Sequence, residues 1–268
     1  MRLPRPLLVV CDLDGTILGA SGSLSNRSAE AVRRLRASGV EVVFATGRPA
    51  WWLEPVSALL GDAGVVCLNG AVVHDPRDLR VLAHWSFPAH VPAEIVGKVR
   101  ELDPSASFAW EWVGASEECG RIDSSMPERW GDADFATAPV SSMSSRPVAK
   151  IMVRSAADSD MLCRPLQDAL GTAARVTRSQ TPGTIELLDR RADKRHATEY
   201  VAQRLGVDRE DTLAVGNGTN DLGLLLWAGM SAAPSNSVAQ ARRAARFLCG
   251  ANTEDGVAGL FEALLTQA

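Results

Sequence analysis

The sequence predicts a doubly wound α/β fold, a parallel sheet flanked by helices and interrupted by an inserted α+β domain. Three observations predict it. Short apolar runs alternate with amphipathic helices in the first third of the chain, and the same alternation returns in the last third. Between these segments, the predicted strands are amphipathic and sometimes adjacent. Such strands are typical of a half-exposed sheet with helices on one face, so the middle of the chain is predicted to be a separate domain.

The first third reads as strand, helix, strand, helix, strand, the order that produces a parallel sheet. Residues 7–11 form a continuous apolar run, as expected of a strand that is buried on both faces. Residues 25–38 carry apolar side chains at helical spacing, with Ser25 as the predicted N-cap and Gly39 just after the end. The remaining elements of this segment are a strand at residues 40–45, a helix at residues 51–60 and a strand at residues 65–68.

The other predicted elements divide between the insertion and the last third. The insertion is predicted to contain strands at residues 81–87, 108–113, 148–153 and 184–188 and helices at residues 92–102 and 159–170. The last third is predicted to contain helices at residues 192–205, 221–227, 238–245 and 257–265 and strands at residues 212–215, 230–233 and 246–249. We therefore expect a Rossmann-like core domain built from residues 1–79 and 188–268, and an inserted α+β domain at residues 80–187.

Composition argues against several classes of protein. The chain has 28 basic and 32 acidic residues and a net charge of −4, so we do not expect a general nucleic-acid binder. The apolar run at residues 7–11 is too short for a secretion signal, and no stretch approaches the length of a membrane span. The 5 cysteines are scattered and form no CxxC pair, which argues against a metal knuckle or a disulfide framework. We therefore expect a cytoplasmic protein that acts without nucleic acid or membrane.

The strongest chemical signal is the segment 12–16, which reads DLDGT and directly follows the first apolar run. Ligands of open α/β sheets bind beyond the carboxyl ends of the strands, and this segment lies at such an end. Asp12 and Asp14 would repel each other unless a cation or a phosphoryl group lay nearby. Gly15 permits a tight turn, and Thr16 adds a hydroxyl donor. The alternative is an acidic turn that caps the following segment.

A second signal follows the second predicted strand, where residues 45–49 read ATGRP. Thr46 supplies a hydroxyl, Gly47 supplies an accessible backbone N–H, and the helix predicted to follow supplies its N-terminus. Together these groups form a natural phosphate-binding turn. The same residues also occur in ordinary strand-to-helix turns.

Two further signals lie in the last third. Residues 216–221 read GNGTND between a predicted strand and a predicted helix, where the glycines allow the backbone to approach a ligand closely. Asn220 and Asp221 supply hard oxygen atoms suited to Mg²⁺. The alternative is a turn whose Asn or Asp caps the helix. Lys194, near the start of the helix predicted at residues 192–205, is the last candidate, and its alternative is a solvated surface lysine.

The four segments, taken in chain order, resemble the four motifs of the haloacid dehalogenase (HAD) superfamily. These are DLDGT, ATGR, a lysine near the start of a late helix, and GNGTND. The long insertion between the second and third motifs resembles the Cof-type subclass with a C2-type cap. Asn69-Gly70-Ala71 and the sequence NTEDGV at residues 252–257 also resemble Cof-type proteins. The resemblance covers both core segments and, for the cap, only its size and position, so it is highly specific for the superfamily and only weakly informative about the substrate.

This resemblance implies a Mg²⁺-dependent phosphatase that acts on a small phosphorylated metabolite, with a sugar phosphate favoured. Asp12 would be the nucleophile that accepts the phosphoryl group as an aspartyl-phosphate. Asp14 would protonate the leaving oxygen and then activate the water that hydrolyses the intermediate. The residues implied to bind phosphate are Leu13 (through its backbone N–H), Thr46, Gly47, Lys194 and Asn220. The residues implied to hold Mg²⁺ are Asp12, Asp14 (through its backbone carbonyl), Asn217 and Asp221.

The sequence departs from the family pattern at Asn217, which stands where the last motif usually has a metal-binding aspartate. Asparagine keeps a carbonyl oxygen but loses a negative charge, so Mg²⁺ should bind more weakly unless Asp221 compensates. This departure keeps a second reading open, a catalytically weakened HAD-like protein that binds a phosphorylated ligand or a partner without turnover. A third reading is a sugar phosphomutase, which would require the aspartyl-phosphate to outlive attack by water.

The insertion also contains four tryptophans, Trp85, Trp110, Trp112 and Trp130. Trp110 and Trp112 share one face of a predicted strand by period-two alternation, and Glu111 points the other way. Aromatic faces can stack on sugar rings, but tryptophans in a small sheet are more often part of its core. We therefore predict that these side chains are core.

Overall fold

The computed structural model describes residues 4–124, 135–155, 159–179 and 183–266, with the side chains of all of these except 159–161. The strands are β1 (Leu8–Cys11), β2 (Glu41–Phe44), β3 (Val65–Cys67), β4 (Val72–His74), β5 (Val81–His84), β6 (Ser107–Trp112), β7 (Gly120–Ile122), β8 (Ala136–Thr137), β9 (Val148–Arg154), β10 (Arg175–Arg178), β11 (Thr184–Leu188), β12 (Thr212–Val215), β13 (Met230–Pro234) and β14 (Phe247–Cys249). The helices are α1 (Asn26–Ala37), α2 (Val91–Leu102), α3 (Ser159–Leu170), α4 (Lys194–Leu205), α5 (Leu222–Trp227), α6 (Ala239–Ala244) and α7 (Gly256–Leu265).

The chain divides into two compact units. The first, which we call the core unit, consists of Met1–Leu82 and Asp193–Ala268, and the second, the inserted unit, consists of Ala83–Ala192. These limits lie a few residues beyond the predicted ones at 79 and 188, because β11 belongs to the sheet of the inserted unit. The prediction that each part is an independent domain remains a prediction.

A parallel sheet forms the centre of the core unit. Its strand order is β14-β13-β12-β1-β2, and each neighbouring pair is parallel. Cys11, the last residue of β1, lies between Val215 of β12 and Phe44 of β2. The loops that follow β1, β2 and β12 therefore leave the sheet at the same side, the carboxyl ends of its strands. The predicted doubly wound fold class is confirmed.

The helices of the core unit begin and end as the sequence predicts in most cases. Ser25 caps α1 by accepting a hydrogen bond from the backbone N–H of Ser28 at 3.0 Å. Gly39, just beyond the helix, has a φ of +87°, in the left-handed region that favours glycine. The helix α1 packs against α7, and both α4 and α6 pack against α5.

The segment between β2 and β4 differs from the prediction. The predicted helix at residues 51–60 is instead two short 3₁₀ helices, Ala50–Trp52 and Glu54–Leu59, because Pro55 has no N–H to continue an α-helical ladder. The predicted third parallel strand, β3, pairs antiparallel with β4, and an isolated parallel bridge links its Val66 to Ala45, the residue after β2. The chain reverses after β3 because two successive residues, Leu68 and Asn69, have φ of 51° and 56°.

The inserted unit contains a six-stranded sheet with the order β10-β11-β9-β6-β7-β8. Its strands pair antiparallel except β7 and β8, which are parallel. The helices α2 and α3 pack against each other, and their apolar residues share one buried cluster with those of the sheet. The predicted strand at residues 81–87 is shorter than expected, and as β5 it joins β3 and β4 in a separate three-stranded sheet.

Trp110 and Trp112 belong to the core of the inserted unit, as predicted. Their side chains are buried, and the indole N–H of Trp112 donates to the carbonyl of Met143 at 2.8 Å. The guanidinium groups of Arg121 and Arg146 lie over the Trp112 ring, at 5.1 and 4.9 Å from its centroid. The fourth predicted member of the group, Trp130, lies outside the described residues. Within the described ranges, no helix has the length and apolarity that a bilayer span requires.

Candidate active site

The candidate residues of the core unit come together where the parallel strands end. Asp12 follows β1, Thr46 comes two residues after β2, and Gly216 follows β12. Because these three strands are neighbours in one parallel sheet, their carboxyl ends carry the three loops to one place. Lys194, the first residue of α4, reaches the same place from a fourth segment.

Three buried charged side chains form the centre of this site. The ammonium Nζ of Lys194 donates to Oδ1 of Asp12 at 2.5 Å and to Oδ1 of Asp221 at 2.7 Å. The hydroxyl of Thr16 donates to the other Asp12 oxygen, Oδ2, at 2.8 Å. The side chains of Lys194 and Asp221 have no exposed surface, and that of Asp12 is 5% exposed. The solvated-lysine alternative for Lys194 is therefore wrong.

The charges of these three residues do not cancel. Burial raises the pKa of Asp12, and the carboxylate of Asp221 raises it further, while Lys194 only partly offsets the increase. Burial alone would lower the pKa of Lys194, but the two carboxylates outweigh it and hold that pKa above its ordinary value. Two carboxylates share one ammonium, and burial together with the repulsion between them raises the pKa of Asp12 to about 7. Such a site favours the binding of a further cation.

Asp221 also fixes the turn that carries it. Its Oδ2 accepts from the backbone N–H groups of Asn217 at 3.0 Å and Gly218 at 2.9 Å. A Cβ at Gly216 would lie 2.5 Å from the Cβ of Asp221, so only glycine fits there. Asp221 stays a predicted metal ligand, and its two oxygens already accept three hydrogen bonds from Lys194 and this turn.

The second carboxylate of the first motif, Asp14, is held by Arg48. The Nε of Arg48 donates to Oδ2 of Asp14 at 2.9 Å, and its Nη2 donates to Oδ1 at 2.6 Å. The contact with Asp14 raises the pKa of Arg48 above its ordinary value, although burial opposes this. The sequence analysis did not name Arg48 as a site residue, although it lies in the ATGR motif. The sequence did contain a signal: Arg48 lies in the loop after β2, and the loop after the neighbouring strand β1 carries the carboxylates of Asp12 and Asp14.

A turn at Asn69 joins the second motif to the last one. The backbone N–H of Asn69 donates to the carbonyl of Thr46 at 2.9 Å, and its side-chain Oδ1 accepts from Nδ2 of Asn220 at 2.9 Å. A Cβ at Gly47 would lie 3.1 Å from Asn69 Oδ1. Three of the predicted phosphate-binding residues, Thr46, Gly47 and Asn220, are thus held together through Asn69, to which sequence analysis gave no role.

Thr46 and Leu13 both shape their loops, Thr46 through its side-chain hydroxyl and Leu13 through its backbone carbonyl. The hydroxyl oxygen of Thr46 accepts from the backbone N–H of Arg48 at 3.1 Å, and a hydroxyl that accepts in this way can still donate its hydrogen to a ligand. The carbonyl of Leu13 accepts from the N–H groups of Thr16, Ile17 and Leu18, which turns the chain after β1. Leu13 is fully buried, and its backbone N–H stays a predicted phosphate-binding group.

The oxygen donors of the site are compatible with Mg²⁺. Within the described ranges, no three or more His, Cys, Asp or Glu side chains are grouped so as to hold a metal ion. In that same part of the chain, Asn217 Oδ1 is buried and has no hydrogen-bond partner. A buried carbonyl oxygen without a donor is costly, and a hard cation would satisfy it. Because Mg²⁺ binds through few protein oxygens and keeps several waters, a set built on Asp12, a main-chain carbonyl and Asn217 fits it.

Asn217 lies directly against the first motif. Gly15 has a φ of +72°, and a Cβ at this position would lie 2.3 Å from Nδ2 of Asn217. The carbonyl of Gly15 accepts from Nδ2 of Asn236 at 2.8 Å, and Asn236 in turn accepts from the backbone N–H of Asn252 at 2.9 Å. Asn252 begins the NTEDGV sequence, so this late segment supports the loop of the first motif.

Arg195, which follows Lys194, does not add a second cation to the charged centre. Its Nε pairs with Oε1 of Glu199 at 2.9 Å, one turn along α4, and its side chain is 51% exposed. An i,i+4 pair of this kind on a helix surface stabilises by only a few tenths of a kcal/mol.

Comparison with known proteins agrees with this geometry. The sequence model of the haloacid dehalogenase-like hydrolases matches residues 9–261. Among curated relatives, the phosphoglycolate phosphatase of Methanopyrus kandleri is 26% identical over 262 residues, which cover 97% of each chain.

Solved structures share the fold. A phosphatase of the HAD enzyme superfamily from Bacteroides thetaiotaomicron superposes with a TM-score of 0.82 at 21% identity, over 97% of this chain and 95% of that one. A sugar phosphatase of HAD subclass IIB superposes with a TM-score of 0.81 at 17% identity, over 97% and 99% of the two chains. The family match spans both segments of the core unit and the whole inserted unit. The chain therefore belongs to the haloacid dehalogenase-like hydrolases, and it is a phosphatase.

Proposed function

We propose that this phosphatase hydrolyses a small phosphorylated metabolite, with sugar phosphates as the favoured class, through an aspartyl-phosphate on Asp12 and with Mg²⁺ bound. The observation that carries the proposal is the buried Asp12 carboxylate, whose two oxygens are held separately by Lys194 at 2.5 Å and Thr16 at 2.8 Å. A carboxylate fixed in this way pays little entropy to reach an attacking position.

In the first step, an oxygen of Asp12 attacks the phosphorus atom and the bond from phosphorus to the leaving oxygen breaks. Lys194 partly offsets the effect of burial on the pKa of Asp12 and so favours its ionised, nucleophilic form, and it supplies positive charge for the incoming phosphate oxygens. Thr46, Gly47, Asn220 and the backbone N–H of Leu13 bind the remaining phosphate oxygens. Asp14 gives its proton to the leaving oxygen, which departs as an alcohol.

In the second step, Asp14 takes a proton from a water molecule as the water oxygen bonds to phosphorus. The bond between phosphorus and Asp12 breaks, and inorganic phosphate leaves. Asp14 ends the cycle protonated and Asp12 ends it ionised, so both residues are ready for another substrate.

We assign Asp12, the main-chain carbonyl of Asp14 and Asn217 as the groups that hold Mg²⁺, with Asp221 as a further candidate. When bound, the cation offsets the repulsion between the Asp12 carboxylate and the anionic phosphate. Two observations support this assignment: Oδ1 of Asn217 has no partner among the described residues, and the buried carboxylates of Asp12 and Asp221 share the single ammonium of Lys194.

The substrate class rests on similarity. The related protein of Methanopyrus kandleri is named a phosphoglycolate phosphatase, and one structural neighbour is a sugar phosphatase. Both names describe small phosphorylated metabolites. We keep sugar phosphates as the favoured class, with phosphoglycolate as the alternative to be assayed beside them.

A second candidate function is supported by Asn217. The loss of one carboxylate from the last motif is compatible with a protein that binds a phosphorylated ligand and turns it over slowly or not at all.

One assay separates the two functions. Release of inorganic phosphate is measured from hexose phosphates, phosphoglycolate and p-nitrophenyl phosphate, with added Mg²⁺ and with EDTA. The proposed function predicts release that requires Mg²⁺ and is fastest with a hexose phosphate. Calorimetric binding of a hexose phosphate without any release would instead establish the second candidate. Equal rates with Mg²⁺ and with EDTA would overturn the assigned cofactor.

A further inference from the structure

The contact between Arg48 and Asp14 is the strongest polar contact of the site that the proposed steps leave unused. Both oxygens of Asp14 accept from the guanidinium, at 2.9 and 2.6 Å. The side chain of Arg48 is 19% exposed and that of Asp14 is 32% exposed. A bidentate pair fixes the plane of the carboxylate as well as its position, and this one is partly buried.

Arg48 is itself anchored at two other points. Its Nη1 donates to the carbonyl of Trp52 at 3.2 Å, and its backbone N–H donates to the hydroxyl of Thr46 at 3.1 Å. The guanidinium therefore cannot simply follow Asp14 if the carboxylate swings away. It links the acidic loop after β1 to the loop after β2, which carries the predicted phosphate-binding residues Thr46 and Gly47.

The chemistry of the pair limits what Arg48 can do. A guanidinium stays protonated in proteins, so Arg48 donates hydrogen bonds and exchanges no proton with the substrate. It occupies one lone pair on each oxygen of Asp14, and a carboxylate has about four such sites. The lone pairs that remain are those that can carry the proton to a leaving oxygen. A lysine would supply the same charge, but its ammonium lacks the planar guanidinium that pairs with both oxygens of Asp14.

We propose that Arg48 is a positioning residue for proton transfer by Asp14, and that it acts on the step in which the leaving oxygen is protonated. This inference rests on the proposed function, because it assumes that Asp14 is the acid. Its consequence is selective. Loss of the two hydrogen bonds from Arg48 should slow the hydrolysis of substrates whose leaving group needs a proton. It should leave almost unchanged the hydrolysis of substrates whose leaving group departs as a stable anion.

The test compares two substrates. The leaving group of benzyl phosphate departs as an unstable alkoxide unless its oxygen is protonated, whereas p-nitrophenyl phosphate releases nitrophenolate, a stable anion that needs no proton. The quantity measured is kcat/KM, which includes the step in which the leaving group departs. Arg48→Lys and Arg48→Gln should lower kcat/KM for benzyl phosphate about 10–100-fold and that for p-nitrophenyl phosphate less than about threefold. Two substitutions are used so that poor folding of one does not end the test.

Arg27→Lys is the matched control. Arg27 forms the same type of bidentate pair with Glu262, at 2.9 and 2.6 Å, on the surface between α1 and α7. This variant should leave both rates unchanged. The double variant Asp14→Asn with Arg48→Lys should be no slower on benzyl phosphate than Asp14→Asn alone, because both changes remove the same function.

The outcomes separate the inference from the function on which it rests. If Asp14→Asn slows benzyl phosphate selectively and the Arg48 variants slow both substrates equally, the positioning role is overturned and the acid role of Asp14 stands. If Asp14→Asn itself shows no selectivity between the substrates, the acid role fails and the inference fails with it. Selective loss in all three variants supports both.

Discussion

Asn217 places an amide oxygen where the family's last motif has a carboxylate. The structure leaves that oxygen buried and without a partner in the described part of the chain. If it faces Mg²⁺, Asn217→Asp should tighten binding of the metal about tenfold, because a charged ligand replaces a neutral one. Calorimetric titration of Mg²⁺ into protein without substrate measures this. Asn26→Asp adds the same charge at an exposed site and should leave affinity unchanged, whereas unchanged affinity in Asn217→Asp would refute the assignment.

His74 predicts how stability depends on pH. Its side chain is buried, its Nδ1 lies 2.8 Å from the carbonyl of Leu79, and its Nε2 has no partner among the described residues. Burial lowers the pKa of His74 from its ordinary 6.5, so the unfolded chain takes up a proton more readily than the folded one. This contribution to stability is complete above pH 6.5 and is lost as the pH falls below it.

Removing His74 should change the slope of Tm against pH. Between about pH 7.5 and about pH 5.5, the Tm of His74→Gln should fall less than that of the unchanged protein, because one proton-linked loss has been removed. His84→Gln, at an exposed histidine, should follow the unchanged protein. Parallel Tm curves for all three proteins would contradict the account of His74.

Some residues of the site could be predicted from the sequence, and others could not. Asp12, Thr46, Asn220 and Lys194 could be selected because each lies in a motif with a recognisable order of residue types. Arg48 and Asn69 could not be assigned a role, because their contacts join segments far apart in the chain, Arg48 to Asp14 and Asn69 to Asn220.

At the scale of elements, the turn that contains Gly70 packs directly against the start of α4, the helix that carries Lys194. Gly70 has a φ of +93°, and a Cβ on it would lie 2.1 Å from the carbonyl oxygen of Asp193 and 2.7 Å from the backbone nitrogen of Lys194. An added side chain must therefore push against the start of α4. The left-handed conformation adds a further cost of about 1 kcal/mol.

Gly70→Ala should accordingly cost about 3 kcal/mol of unfolding free energy, as the sum of backbone strain and overpacking. Gly39→Ala is the matched control, because Gly39 has a φ of +87° with nothing within 4 Å of its virtual Cβ. That variant should cost only the strain, about 1 kcal/mol. Urea denaturation of both variants measures the difference, and equal costs would show that the contact with α4 is unimportant.

Several predicted elements agree with the structure to the residue. The helix at residues 159–170 and the strands at 184–188 and 212–215 match α3, β11 and β12. The predictions were weakest at residues 51–68, where Pro55 breaks the helix and the positive φ values of Leu68 and Asn69 turn the chain back. Non-glycine residues in left-handed conformations are set by tertiary contacts, so no local pattern indicated that turn.

At the scale of the whole molecule, the division into two units predicts that the core unit can be isolated. Replacing Ala83–Ala192 by a short flexible linker should leave a folded protein that hydrolyses p-nitrophenyl phosphate and no longer discriminates among hexose phosphates. The linker should start after Leu82, because Tyr200 donates to the Leu82 carbonyl at 3.2 Å. Cooperative thermal unfolding together with phosphate release checks this, and an insoluble product would count against the independence of the core unit.

The central claim is that the phosphoryl group passes through Asp12. Asp12→Asn should therefore reduce kcat more than about tenfold, equivalent to ~1.4 kcal/mol in the barrier, while the variant remains folded. This loss alone does not identify a covalent intermediate, since Asp12 is also assigned to Mg²⁺.

The most direct measurement is chemical trapping of the intermediate. The enzyme is quenched with acid during turnover of a hexose phosphate and treated with borohydride, which reduces an acyl phosphate but leaves a free carboxylate intact. Peptide mass spectrometry then locates the reduced residue. The account predicts reduction of the aspartate at position 12 only in samples that contained substrate. Reduction at another carboxylate, or none at position 12 during rapid turnover, would contradict it.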